Sequence, residues 1–174
     1  MNRKTFDDEI IVMGLIVAAV LNGAVIIFLQ IPMNVIKGIW VIANPEVNMI
    51  ASLAAIVCSG FIVLIKNTYD RPARGYGYVL FQPTVEELIY RSPFILGFHG
   101  ISHLLQLSNA EYWGLWVIVW LVQAVVFAPG HKSPFKKFVL ALLWFPMFFF
   151  VGFAPAAVGH TSHNLFIVFL GRGE

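Results

Sequence analysis

The stretch Ile10-Ile-Val-Met-Gly-Leu-Ile-Val-Ala-Ala-Val-Leu-Asn-Gly-Ala-Val-Ile-Ile-Phe-Leu-Gln-Ile31 decides the fold class. It offers 22 residues without a single formal charge, and roughly 20 such residues cross a bilayer as one helix. Asp7, Asp8 and Glu9 precede it, and Asn22 interrupts it. It is longer than the apolar region of a cleavable signal and has no clear small-residue cleavage site, so it reads as a retained transmembrane helix. The rest of the chain has the same character. Of 174 residues, 59% are hydrophobic and 11% charged, against about 25% charged in a soluble domain. The mean hydropathy is +0.82. A net charge of +2 gives no footing for nucleic acid, and the basic residues read as topology signals. The lone Cys58 lies in an apolar run, where a thiol behaves as a small hydrophobe.

Outward from that stretch, five further apolar segments complete an expected all-α, polytopic bundle of about six transmembrane segments. They cover about residues 48–65, 76–105, 112–129, 136–152 and 156–170. Pro32, Pro45, Pro72, Pro129 and Pro155 fall at or near the breaks. The expected organisation is a two-helix membrane segment over 1–75 and a core over 76–174. Arg3, Lys4, Lys66, Arg71, Arg74, Lys132, Lys136, Lys137 and Arg172 then collect on one side. By the positive-inside rule both termini are cytoplasmic, and the protein is integral to the cell membrane.

Three polar patterns interrupt this apolar background. Glu86-Glu87-Leu-Ile-Tyr-Arg91 places Glu87 and Arg91 four residues apart, on one helix face, where they can pair. Glu86 is turned about 100° away. Charges within a span cost a few kcal/mol each, so three together point to a site, with Glu86 suited to act as a general base. Thr84-Val-Glu-Glu87 after Pro83 also fits a capping box at a helix start, which would need no chemistry. Phe127-Ala-Pro-Gly-His131 puts two helix breakers before a histidine, so a loop or re-entrant turn is expected there. His160-Thr-Ser-His-Asn164 sets His160 and Asn164 on one face of the last segment, either as a site or as interhelical contacts. His99 and His103 are also four apart, a possible metal pair, but on a continuous helix His99 turns away from both glutamates, and the pair reads as packing or interfacial. His163 reads as a neighbour of the site.

Glu-Glu-x-x-x-Arg, Phe-x-x-x-His and His-x-x-x-Asn, in this order on successive hydrophobic segments, resemble the signature of the CAAX prenyl protease and bacteriocin-processing family. That family includes type II CAAX endopeptidases and bacterial self-immunity membrane proteins. The resemblance spans about residues 76–170. It implies an intramembrane, glutamic-type endopeptidase in which Glu86 activates water, His131 positions it, and His160 and Asn164 donate to the oxyanion. Glu87, Arg91 and Phe127 are implied as supporting residues. The implied substrate is a peptide or protein tail in contact with lipid, prenylated or not. No cofactor is expected. Zinc held by Glu86, His131 and His160 is the metal-dependent alternative, although the HExxH helix of most zinc proteases is absent. A non-catalytic immunity or scaffold protein is the second alternative. A proton-coupled transporter is the third, and it lacks an inverted repeat. A departure from the family pattern carries a structural expectation. Ser92-Pro93 stands where many members have glycine, which predicts a kink. In the six-span layout His131 lies at the inner end of one span and His160 near the outer end of another, so they meet only if segments tilt, re-enter or end elsewhere.

Overall fold

A computed structural model describes residues 3–40, 45–65, 76–130 and 134–170. All elements among these residues are helical. They are α1 (Arg3–Phe28), α2 (Met33–Trp40), α3 (Pro45–Ile65), α4 (Tyr76–Tyr90), α5 (Ser92–Leu105) and α6 (Asn109–Phe127). A short 3-10 turn (Ala128–Gly130), α7 (Pro134–Val151) and α8 (Phe153–Leu170) complete them.

Three segments, Glu9–Phe28, Asn109–Phe127 and Pro134–Val151, are long and apolar enough to cross a membrane, and Glu46–Phe61 is a shorter apolar helix. Their outward faces are apolar as well. Val20, Ile27 and Phe28 of α1 are 64%, 78% and 85% exposed, a surface suited to lipid rather than water. Lys66, Arg71, Arg74, Lys132 and Arg172, on which the expected orientation leans, lie outside the described residues.

The structure corrects the expected third segment. It is two helices rather than one continuous helix over 76–105, because the chain breaks at Arg91, where φ is −115°. Pro93, in the first turn of α5, lacks the N–H that would continue α4. The capping box read at Thr84–Glu87 is also absent: α4 begins at Tyr76 and holds Pro83 inside it. A capping box does form at Ser108, whose N–H donates to Glu111 Oε2 (2.8 Å) while its Oγ accepts from the Glu111 N–H (3.4 Å). The short helix α2 is a further addition.

α8 is the central element. It packs along α3 and also meets α4 and α7, while α1 lies along α4 and α6 along α7. Both N-terminal helices α1 and α3 are thus built into the bundle that carries the polar patterns. Small residues permit the closest approach. A Cβ on Gly159 of α8 would stand 2.8 Å from the Trp144 ring and 2.9 Å from Ala55. Between α6 and α7 the contact is polar. Pro146 sits inside α7 and cannot donate to the Leu142 carbonyl four residues back. The Trp120 indole donates to that carbonyl instead, at 2.9 Å. Ile95, Leu96, Phe145 and Phe148 form the apolar core around this contact.

Candidate functional site

The polar patterns of α4 and α8 converge. Glu86 and Glu87 lie in the last turn and a half of α4, beyond Pro83. Gln82, one turn earlier, donates from Nε2 to Glu86 Oε1 at 3.2 Å. Glu87 is on the adjoining face, where Arg91 Nη1 pairs with its Oε1. The expected i, i+4 ion pair is therefore present, and it is sealed: both side chains are 0% exposed.

His160 of α8 enters between the two carboxylates. Its Nδ1 lies 2.8 Å from Glu87 Oε1, and its Nε2 lies 3.4 Å from Glu86 Oε2. An ionised carboxylate can only accept, so the short contact places a hydrogen on Nδ1 and directs Nε2 at Glu86. The 3.4 Å separation is beyond the usual length of a strong hydrogen bond. Glu86 and the imidazole are held as neighbours rather than locked as a pair. Burial follows the same order, with His160 2% exposed and the Glu86 side chain 13%. Glu86 is the most open member of this group.

Phe127, the last residue of α6, closes the other side. The Arg91 guanidinium carbon stands 4.9 Å from its ring centroid, a cation–π distance. The same ring meets Tyr90 edge-on at 5.4 Å and His160 at 6.3 Å. Arg91 Nε and Nη2 make no hydrogen bond among the described residues, so the aromatic face is what the rest of the guanidinium rests on. This places His160 at the level where α6 ends, although it sits in the middle of α8. The helix breakers after Phe127 lie in the 3-10 turn Ala128–Gly130, and the loop or re-entrant turn expected at His131 falls outside the described residues.

The remaining expected residues divide. His131 lies outside the described residues. Asn164, one turn beyond His160 on α8, is half-buried. His163 is buried at 1% exposure. His99 lies on α5, past the break, so its direction cannot be reckoned on a continuous helix. Its ring stacks on Phe149 at 5.3 Å with 2° between planes, which is a packing contact. His103 is exposed. Among the described residues no group of three or more His, Cys, Asp or Glu side chains is placed to hold a metal ion.

Sequence reasoning missed Gln82, Asn22 and Ser59. Gln82 had a signal, its i, i+4 spacing to Glu86. Asn22 and Ser59 showed only as polar residues in apolar helices, and nothing in the sequence says what they face. No protein-family model, curated protein or solved structure matches this chain.

Proposed function

We propose that the chain is a six-span integral membrane endopeptidase of the CAAX prenyl protease and bacteriocin-processing kind, with water activated by Glu86. The broken pair α4–α5 counts as one crossing, and α1, α3, α6, α7 and α8 supply the others. The observation that carries the reading is the placement of His160 between two carboxylates of unlike environment. Glu87 is sealed and occupied by Arg91, whereas Glu86 is the more open and faces the second imidazole nitrogen. Two carboxylates so distinguished suit one supporting and one reacting role.

In this reaction Glu86 takes a proton from water as the water oxygen attacks the amide carbon. With its hydrogen on Nδ1, a neutral His160 turns the Nε2 lone pair toward Glu86 and the water, and it donates there only as an imidazolium; His131 and Asn164 complete the set by family resemblance. Donors aimed at a developing oxyanion are worth about 3–4 kcal/mol in a dry site. Collapse of the tetrahedral intermediate breaks the C–N bond, and the proton held on Glu86 passes to the leaving amine. The substrate is a peptide or protein tail presented at the membrane. Every step is carried by side chains of the chain itself, with no cofactor.

One observation favours a second reading, a non-catalytic scaffold or immunity protein. Glu87, Arg91 and His160 are almost fully enclosed, and such a network can serve helix association alone. The two readings part in a comparison of peptide termini in membranes carrying wild type or Glu86→Ala at matched expression. New termini that appear only with wild type identify the substrate and support the endopeptidase. Identical termini, with wild type correctly inserted, support the scaffold. A chelator added to the same comparison tests the metal-dependent variant.

A further inference from the structure

Two helices outside the motif-bearing stretch grip the backbone beside the site. On α1, Asn22 is 8% exposed. Its amide donates to the Ala18 carbonyl of its own helix at 2.7 Å and to the Leu88 carbonyl of α4 at 2.9 Å. Its Oδ1 accepts from Ser92 Oγ at 2.5 Å. Leu88 follows Glu87 and Ser92 follows Arg91, so Asn22 holds both sides of the helix break. The last carbonyls of a helix lack intrahelical donors, and Asn22 supplies one where α4 ends. On α3, Ser59 is 0% exposed, and its Oγ donates to the Gly159 carbonyl at 2.8 Å. Gly159 precedes His160, and its missing side chain is what lets Ala55 and Trp144 come so close.

Polar side chains in apolar helices can act simply as interhelical contacts. What distinguishes these two is where they land: each grips the peptide next to one partner of the Glu87–His160 contact. We infer that Asn22 and Ser59 are positioning residues, through which α1 and α3 set the separation of α4 and α8 that seats His160 between Glu86 and Glu87. The catalytic consequence rests on the endopeptidase reading; the geometric one does not.

The test uses the full chain, labelled with 15N-histidine in detergent micelles, with the His160 ring assigned by loss of its signal in His160→Gln. In Asn22→Ala and in Ser59→Ala, the His160 Nδ1 hydrogen exchanges with water about fivefold to tenfold faster than in wild type, the equivalent of one buried hydrogen bond. Ser59→Thr, which keeps the hydroxyl, restores the wild-type rate. Val57→Ala, which trims an outward side chain of the same helix, leaves it unchanged. Should Asn22→Ala not fold, Ser92→Ala replaces it, removing only the hydroxyl that meets Asn22. Unchanged His160 exchange in the Asn22 or Ser92 variant and in Ser59→Ala overturns the inference. On a peptide spanning a bond that wild type cleaves and Glu86→Ala does not, kcat falls about 10–100-fold with KM nearly constant, as misplacement of a reacting group predicts. Faster exchange in a protein whose wild type cleaves nothing upholds the positioning role and counts against the endopeptidase reading alone.

Discussion

Arg91 carries its charge where neither water nor lipid headgroups reach it. Its only ion-pair partner among the described residues is Glu87, and its remaining surface lies on Phe127. Removing one member of a buried pair strands the other, at a cost of about 3–5 kcal/mol. Arg91→Met is therefore expected to lower stability by that amount in a detergent unfolding titration. Glu87→Gln combined with Arg91→Met should cost clearly less than the sum of the single changes, because no charge is then left alone. A strictly additive double variant would show that the pair is not coupled. Pairing of Glu87 with Arg91 was legible in the sequence because helix geometry alone brings residues four apart together. The meeting of His160 with the same carboxylate had no signal in the spacing and was implied only by the family resemblance: the two residues lie 73 positions apart, and only the packing of α8 on α4 joins them.

At the scale of the element, proline decides where helices end and where they merely bend. Pro93 ends α4 because the break at Arg91 is stabilised from outside by Asn22. Pro146 leaves α7 unbroken because Trp120 satisfies the Leu142 carbonyl. Trp120→Phe should thus cost about 1–3 kcal/mol, the penalty of an unsatisfied buried carbonyl. The loss should shrink in a Pro146→Ala background, where the helix regains its own N–H; an equal loss in both backgrounds would refute the compensation. Glycine offers a second comparison. Gly159→Val forces side-chain atoms toward Trp144 and Ala55 and is expected to destabilise by about 1–3 kcal/mol. Gly114→Ala meets nothing within 4 Å and should be neutral or stabilising by up to about 1 kcal/mol. Thermal unfolding of the two proteins in one detergent checks the contrast. Helix existence was legible here because long apolar runs admit few other structures. The break at Arg91 was half legible, as a kink, since Pro93 shows where a helix weakens but not whether a neighbour will hold it open. The capping box went the other way. Thr84–Glu87 and Ser108–Glu111 both carry the pattern, and only the one that follows a real turn forms it.

For the whole molecule, the bundle turns apolar surface outward and encloses Glu87, Arg91 and His160 where α4 meets α8. The proposed six-span layout puts Leu107, after α5, and Ser133, before α7, on opposite faces of the membrane. With Cys58 replaced by alanine, Leu107→Cys should react with a membrane-impermeant maleimide added to intact cells, and Ser133→Cys only after the membrane is opened. Reaction of both from outside would overturn the layout. The apolar segments made the membrane class legible from composition, but the way the helices nest was not, because lipid-facing and helix-facing positions are equally apolar. Small residues such as Gly159 and isolated polar ones such as Ser59 mark the contacts only once the partner helix is known.

The 73 residues that separate Glu87 from His160 are also an interval of time. Ribosomes add roughly 5–20 residues per second, so about 4–15 s pass between synthesis of the acidic pair and synthesis of the imidazole that will stand between its members. During that interval Arg91, made almost together with Glu87, is the neutralising partner at hand, while Glu86 has Gln82 one turn away. The nascent chain thus carries the Glu87–Arg91 pair before the contacts of His160 with either glutamate can form. A copy whose synthesis stops before α8 would hold Glu87 and Arg91 as a pair but lack the imidazole that meets both carboxylates.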